Sequence, residues 1–306
     1  MWIILAFVSA ALLGLYDACK KYSLRGNAVI PVLFLNTLFC SVIFLPAIVL
    51  SAAGMLSEGE TFYVEPWSWH AHRYILLKSV IVLSSWILGY FAIKHLPLTI
   101  VGPVNATRPV MTIVGALLIY GESLNGWQWA GVAFAVVSFY LLSRSGRKEG
   151  IRFAHNRWIY FLVGAAVLGA VSGLYDKFLM ASTDSGGAGL GRMSVQGWYN
   201  IYQCVMMGIV LWTVWWPRRL HGHRFVWRWP IILISVFLTC ADFAYFYALT
   251  FPDSMISVVS MVRRGSVVVS FMCGALFFGE KNLRGKAVDL ALVLAGMVCL
   301  WIGSAQ

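Results

Sequence analysis

The chain of 306 residues repeats itself in two halves, and that repeat limits what it can fold into more than any single residue does. Gly14-Leu15-Tyr16-Asp17 returns as Gly173-Leu174-Tyr175-Asp176, an offset of 159 residues. Asn36 and Cys40 return as Asn200 and Cys204, an offset of 164, and Gly121-Glu122 returns as Gly279-Glu280, an offset of 158. Each half carries five apolar runs near the ~20 residues needed to cross a bilayer. Five is odd, so a second copy continuing from the first enters the bilayer upside down. The expected fold class is an all-α integral membrane protein, with ten transmembrane helices arranged as two inverted five-helix repeats.

Composition supports membrane insertion. Hydrophobic residues make up 60% of the chain and charged residues 11%, with a mean hydropathy of +0.78, so there is too little polar surface for a soluble domain of this size. The expected spans are Trp2–Ala18, Ala28–Leu50, Tyr74–Ile93, Leu98–Tyr120 and Gly126–Leu142, then Trp158–Lys177, Met193–Trp216, Trp229–Thr250, Ser254–Phe278 and Ala287–Ile302. They divide the chain into a first repeat (1–145), a basic linker (146–157) and a second repeat (158–306). The runs are continuous, whereas barrel strands alternate, and a helix satisfies its own backbone polar groups in lipid. The first run leads straight into the repeat, with no basic leader or small-residue cleavage site, and reads as a retained helix.

The net charge of +11 is placed like a topology signal, not a nucleic-acid surface. Sixteen basic residues fall in the odd-numbered connections, among them Lys20, Lys21, Arg25, Lys94, Arg157, Arg228 and Lys286. The even-numbered side offers Arg73, Lys78, Lys177 and Arg192. By the positive-inside rule the odd connections are cytoplasmic and both termini lie outside. Trp67, Trp69, Trp215, Trp216, Trp227 and Trp229 flank spans as interfacial anchors. The six cysteines are scattered singly, without a C-x-x-C, and His221-Gly222-His223 lacks companion ligands. No metal or other cofactor is implied.

Gly121-Glu122-Ser123-Leu124, followed by Gly126 and Gly131, matches Gly279-Glu280-Lys281-Asn282-Leu283, followed by Gly285 and Gly296. In this doubled motif the chain resembles a ten-helix member of the drug/metabolite transporter superfamily, the EamA-type branch. The resemblance implies that the Gly-Glu step closes the fourth helix of each repeat and that a small-residue fifth helix follows. Glu122 and Glu280 would then be fold residues. Relatives are usually drawn with both termini in the cytoplasm, opposite to the charge count here.

An ionisable side chain inside a span costs roughly 2.5–3.5 kcal/mol on insertion scales and invites a functional reason. Arg108 lies mid-span, with Asn105 and Thr112 on the same helical stripe. The equivalent span holds Arg263 and Arg264, flanked by Ser257, Ser260, Ser266 and Ser270. Two readings compete: the arginines face a wet cavity, or they close structural ion pairs with Asp242, Asp289, Asp17 or Asp176. Arginine binds carboxylate or phosphate through its planar fork, and the basic pair resembles the Lys-Arg pair of the phosphate-translocator branch, which contacts the substrate's anionic group. Asn36, Asn200, Gln203, Tyr199 and Tyr202 can hydrogen-bond a solute or glue helices together. Asp17, Asp176 and Asp242 are candidates for proton coupling. Asp17 also sits four residues before Lys21, and Asp176 beside Lys177, as helix-end ion pairs would.

An inverted repeat places a substrate site between its halves, the layout of a secondary transporter. No ATP-binding P-loop is visible, so a gradient or exchange must drive it. Three basic mid-span residues favour a small polar, anionic metabolite as the partner, carried across the cytoplasmic membrane. Export of aromatic amino acids or drugs, and flipping of a lipid-linked substrate, are the alternatives within this fold. A membrane enzyme would need paired acids, a nucleophile with its base, or metal ligands, and none is visible. Ten helices can enclose a cavity in a monomer, and a homodimer is compatible.

Overall fold

The computed structural model describes residues 2–108, 110–111, 125–147, 153–180, 183, 186–219, 224–249, 262–280 and 283–305. Thr112, Gly121-Glu122, His221-Gly222-His223, Ser257, Ser260 and Lys281 lie outside the described residues.

The described residues are helical, with no strand among them. The helices are α1 (Trp2–Leu24), α2 (Val29–Ala52), α3 (Trp69–His95), α4 (Leu98–Ala106), α5 (Gly126–Arg147), α6 (Arg157–Met180), α7 (Arg192–Val210), α8 (Pro230–Leu249), α9 (Ser266–Phe277) and α10 (Leu283–Ala305). A π-helical turn, Leu211–Trp215, extends α7, and a 3-10 turn, Trp216–Arg218, ends it at Pro217. Among the described residues, five helices are long and apolar enough to cross a membrane: α1, α2, α3, most of α6 and most of α10. Shorter apolar stretches are Gly126–Leu142 and Pro230–Tyr245. At 1.5 Å per residue, the 23 to 27 residues of α1–α3 span about 35–40 Å, more than the hydrocarbon core. Ile4, Phe7, Val42, Val136 and Trp212 are exposed on the outside of the bundle, tolerable only against lipid. Among the expected anchors, Trp67, Trp69, Trp216, Trp227 and Trp229 are exposed too.

Packing joins helices of the first half to helices of the second. α1 packs on α8, α3 on α6, α2 on α7, α4 on α9 and α5 on α10. Two serines fasten the first two contacts: Ser9 Oγ donates to the Ala241 carbonyl at 2.7 Å, and Ser85 Oγ donates to the Ala165 carbonyl at 2.7 Å. The α2–α7 seam is polar. Ser41 of α2 reaches across it, its Oγ donating to the Asn200 carbonyl at 2.8 Å.

Two short elements break what the sequence presents as continuous spans. α4 ends at Ala106 and a turn follows at Thr107, whose Oγ1 donates to the Val104 carbonyl at 2.7 Å. Arg108 beyond the turn is helical, and Pro109 brings no amide donor to the ladder. α9 begins only after a turn at Gly265, with Val262–Arg264 helical before it. Both breaks lie beside the intramembrane arginines.

One end of the bundle is tied by side chains on helix termini. Glu280, just after α9, accepts from the Leu98 amide (2.6 Å), the Thr99 amide (2.8 Å) and Thr99 Oγ1 (2.5 Å), capping α4 with a negative charge where its dipole is positive. Fully buried Lys286 donates to Thr99 Oγ1 at 2.9 Å. Gly279, at φ +60, makes the turn that aims Glu280 backward. Lys21 donates to the Ile93 and Leu96 carbonyls at the end of α3, and Lys94 donates to the Asn27 carbonyl.

α5 and α10 approach most closely at paired glycines. A Cβ on Gly131 would lie 2.8 Å from the Gly296 carbonyl oxygen, and one on Gly296 would lie 3.1 Å from the Gly131 oxygen. Small residues let membrane helices reach such backbone contact. Gly296→Leu is expected to cost about 1–3 kcal/mol by overpacking, read as a lower melting temperature in detergent. Gly126→Ala, where an added Cβ meets nothing within 4 Å, should leave melting unchanged.

Candidate functional site

The breaks in the α4 and α9 spans deliver Arg108, Arg263 and Arg264 into a cavity of about 440 Å³ between α1, α3, α4, α6, α8 and α9. Its lining carries four basic side chains, Lys20, Arg108, Arg263 and Arg264, against the single carboxylate of Asp17. Tyr16, Trp86, Tyr90 and Tyr245 provide aromatic wall, and Asn105 and Ser85 add polar groups.

Each charge has a physical account. Lys20 Nζ lies 2.9 Å from Asp17 Oδ1 and sits over the rings of Tyr16 (4.1 Å) and Tyr90 (5.1 Å). Ser270 Oγ donates to the other Asp17 oxygen at 3.2 Å. The sequence allows Asp17 to pair with Lys21, but Lys21 points to the end of α3, and the i+3 lysine is the partner instead. Arg108 Nη2 donates to Asn105 Oδ1 at 3.0 Å, along the polar stripe of its own helix. Gly169 of α6 makes room for that guanidinium, since a Cβ there would lie 3.0 Å from Arg108 Cζ. Arg263 is ion-paired with Asp242 and lies over the Tyr245 ring at 4.4 Å. Arg264 is exposed to the cavity, and its guanidinium makes no ion pair or hydrogen bond among the described residues.

A second, smaller cavity of about 180 Å³ is lined by Lys78, Asp176, Arg192, Val195, Gln196, Tyr199 and Asp242. Asp176 is ion-paired there with Lys78 of α3, across the helix interface and not with its neighbour in sequence. Lys78 also lies 5.4 Å from the Tyr199 ring centroid. Along α3 the second cavity touches Lys78 and the first touches Ser85 to Ile93, so the two follow one another along the helix axis.

The candidate residues therefore fall into three groups. Arg108, Arg263, Arg264 and Asp17 line the larger cavity; Tyr199, Asp176 and Asp242 line the smaller. Asn36, Asn200, Gln203 and Tyr202 line neither. Asn36 of α2 and Asn200 and Gln203 of α7 are buried, with Asn200 Nδ2 donating to the Gln196 carbonyl at 2.8 Å. Tyr202 Oη is 2.6 Å from His72 Nδ1, in an aromatic cluster with Trp198. By sequence, Lys20 and Lys78 count only as topology charges, whereas both are buried within helices, and Tyr90 and Gly169 are not singled out. Lys20 carries a visible signal, an Asp-x-x-Lys pair on an apolar helix; the other three carry none that separates them from packing residues. No cluster of His, Cys, Asp or Glu able to hold a metal occurs among the described residues.

This arrangement makes Lys20 and Asp17 mutually dependent. Lys20→Met is expected to destabilise by about 1–3 kcal/mol, below the range for fully buried pairs because the site is wet. Lys20→Met combined with Asp17→Asn should recover part of that loss, measured as a double-mutant cycle of thermal unfolding in detergent.

Comparison with known proteins agrees with this architecture. The fold is similar to that of a protein solved by crystallography, with a TM-score of 0.56 at 16% identity over 96% of this chain and 94% of that one. No curated protein matches the chain by sequence. The model of the EamA-like transporter family matches residues 1–144. With its apolar helices, this makes the chain an integral, multi-pass membrane protein whose first 144 residues are similar to the EamA-like transporter family.

Proposed function

We propose that the protein is a secondary active transporter that moves a small anionic metabolite across the cytoplasmic membrane by alternating access. Two inverted five-helix repeats, residues 1–145 and 158–306, would rock about the larger cavity. The observation that carries this reading is the excess of positive charge in that cavity: even with Asp242 counted, two carboxylates face four basic side chains. Arg264, without an ion-pair partner among the described residues, is the group best able to take a carboxylate or phosphate in bidentate fashion.

The helix contacts support the inverted repeat. Exchanging each first-half helix with its counterpart turns α1–α8 into α6–α3 and α2–α8 into α7–α3, and all four contacts occur. The pairs α2–α7, α4–α9 and α5–α10 map onto themselves, as helices astride a two-fold axis do. Interrupted helices at the substrate site are a recurrent feature of such transporters, and both breaks here flank arginines. Lys21, Lys94, Lys286 and Arg228 gather at one end of the bundle, the end we assign to the cytoplasm, with both termini outside.

The aromatic wall of Tyr16, Trp86, Tyr90 and Tyr245 favours a second reading, an exporter of aromatic amino acids or drugs. One experiment separates the two. Purified protein in detergent is screened for thermal stabilisation by carboxylated, phosphorylated and uncharged aromatic metabolites. A ligand at a hundred times its dissociation constant adds about 2.7 kcal/mol. An anionic ligand whose effect weakens about 10- to 100-fold in Arg264→Gln, while Tyr199→Leu in the smaller cavity retains it, supports the anion reading. Stabilisation only by uncharged aromatics, indifferent to Arg264→Gln, rejects it.

A further inference from the structure

The two cavities meet at one ion pair. Arg263 lines the larger cavity, Asp242 lines the smaller, and their side chains are bonded to each other. This bridge is therefore part of the wall between the two spaces. Its members are differently supported. Arg263 rests over the Tyr245 ring on the larger cavity's side. Asp242 has Gln196 Nε2 at 3.4 Å from its second oxygen, with Lys78 and Arg192 lining the same small cavity. Gln196 is buried, and its Oε1 has no hydrogen-bond partner. The smaller cavity thus holds two cations, Lys78 already paired with Asp176, and an amide, so an Asp242 carboxylate that turns toward it would share cations with Asp176 and not be stranded.

Breaking a buried ion pair outright is strongly unfavourable because it leaves two uncompensated charges. Exchanging one carboxylate for another anion on the same arginine avoids that penalty, since Arg263 stays paired throughout. We propose that Asp242 is an internal stand-in for the substrate's anionic group: it occupies Arg263 when the larger cavity is empty and yields it to the anion held by Arg264. The Asp242 carboxylate then swings toward Lys78 and Arg192, and the wall between the cavities opens. The inference rests on the anion-transport reading and adds to it a gate that opens only when loaded. An empty carrier keeps its wall closed, because no other anion replaces Asp242.

The test uses the full chain in detergent, with inorganic phosphate and acetate as probes titrated at constant ionic strength and thermal stabilisation as the readout. Removing the competitor in Asp242→Asn is expected to lower the half-saturating concentration about tenfold, whereas Asp242→Glu, which still competes, stays near wild type. Should Asp242→Asn fail to fold, the charge-swapped double variant Asp242→Arg with Arg263→Asp decides. It keeps an ion pair in the wall but moves the arginine to the smaller cavity, so the anion response should weaken about tenfold. A saturable wild-type response that is unchanged in Asp242→Asn, or in the swapped variant if that is the one that folds, overturns the gate and leaves the anion reading standing. No saturable response to either anion, in wild type or any variant, overturns both.

Discussion

Charge placed inside an apolar bundle has to be paired, bonded to backbone or kept wet, and that requirement organises this molecule. Lys20 is held by Asp17, Lys78 by Asp176 and Arg263 by Asp242, each joining residues of the bundle interior. Lys21 and Lys94 spend their charge on carbonyl groups at helix ends, and Glu280 spends its charge on amides. Arg264 has no such partner among the described residues, and it opens on the larger cavity. The cavity is thus the condition under which such a side chain can be tolerated at that depth. The ion pairs, in turn, draw together the helices that wall it: Arg263 is tied to α8 and Lys78 of α3 is tied to α6.

Backbone approach is the complementary device. Where no charge needs housing, helices close by removing side chains, as Gly131 and Gly296 do between α5 and α10. The bundle therefore has a tightly fitted region at α5–α10 and a hollow region around α1, α3, α4 and α8. Gly169 belongs to both kinds of place. It lacks a side chain so that a guanidinium, not another helix, can lie against α6.

Much of this was legible in the chain itself. The apolar runs located most helices, and the doubled Gly-Glu step located a fold residue: Glu280 acts on helix geometry, although the helix it caps is α4, distant in sequence. The mid-span arginines left two readings open, a cavity or structural ion pairs, and Arg263 meets both, lining the cavity while pairing with Asp242. Cross-helix partners were not legible. Asp176 has Lys177 beside it in sequence yet pairs with Lys78, since only tertiary packing decides which cation arrives. Asn36, Asn200 and Gln203 show the opposite ambiguity: a polar residue on an apolar helix faces a solute or a neighbouring helix equally well, and here all three are buried away from both cavities. The interruptions at Thr107 and Gly265 were hidden by hydropathy, which does not register a missing hydrogen bond. Pro109, which has no amide to donate, was the available sign.

The cap on α4 also bears on how the interior can move. Glu280 grips three donors at the start of α4, and fully buried Lys286 holds the same threonine. The exit of α9 and the entry of α4 are thereby riveted into one mechanical unit spanning both halves of the chain. Each of those spans is loosened at its interruption, beside the arginines, and anchored at this end. The geometry is that of two levers sharing a fixed hinge plate, with their compliance located where the charged side chains are.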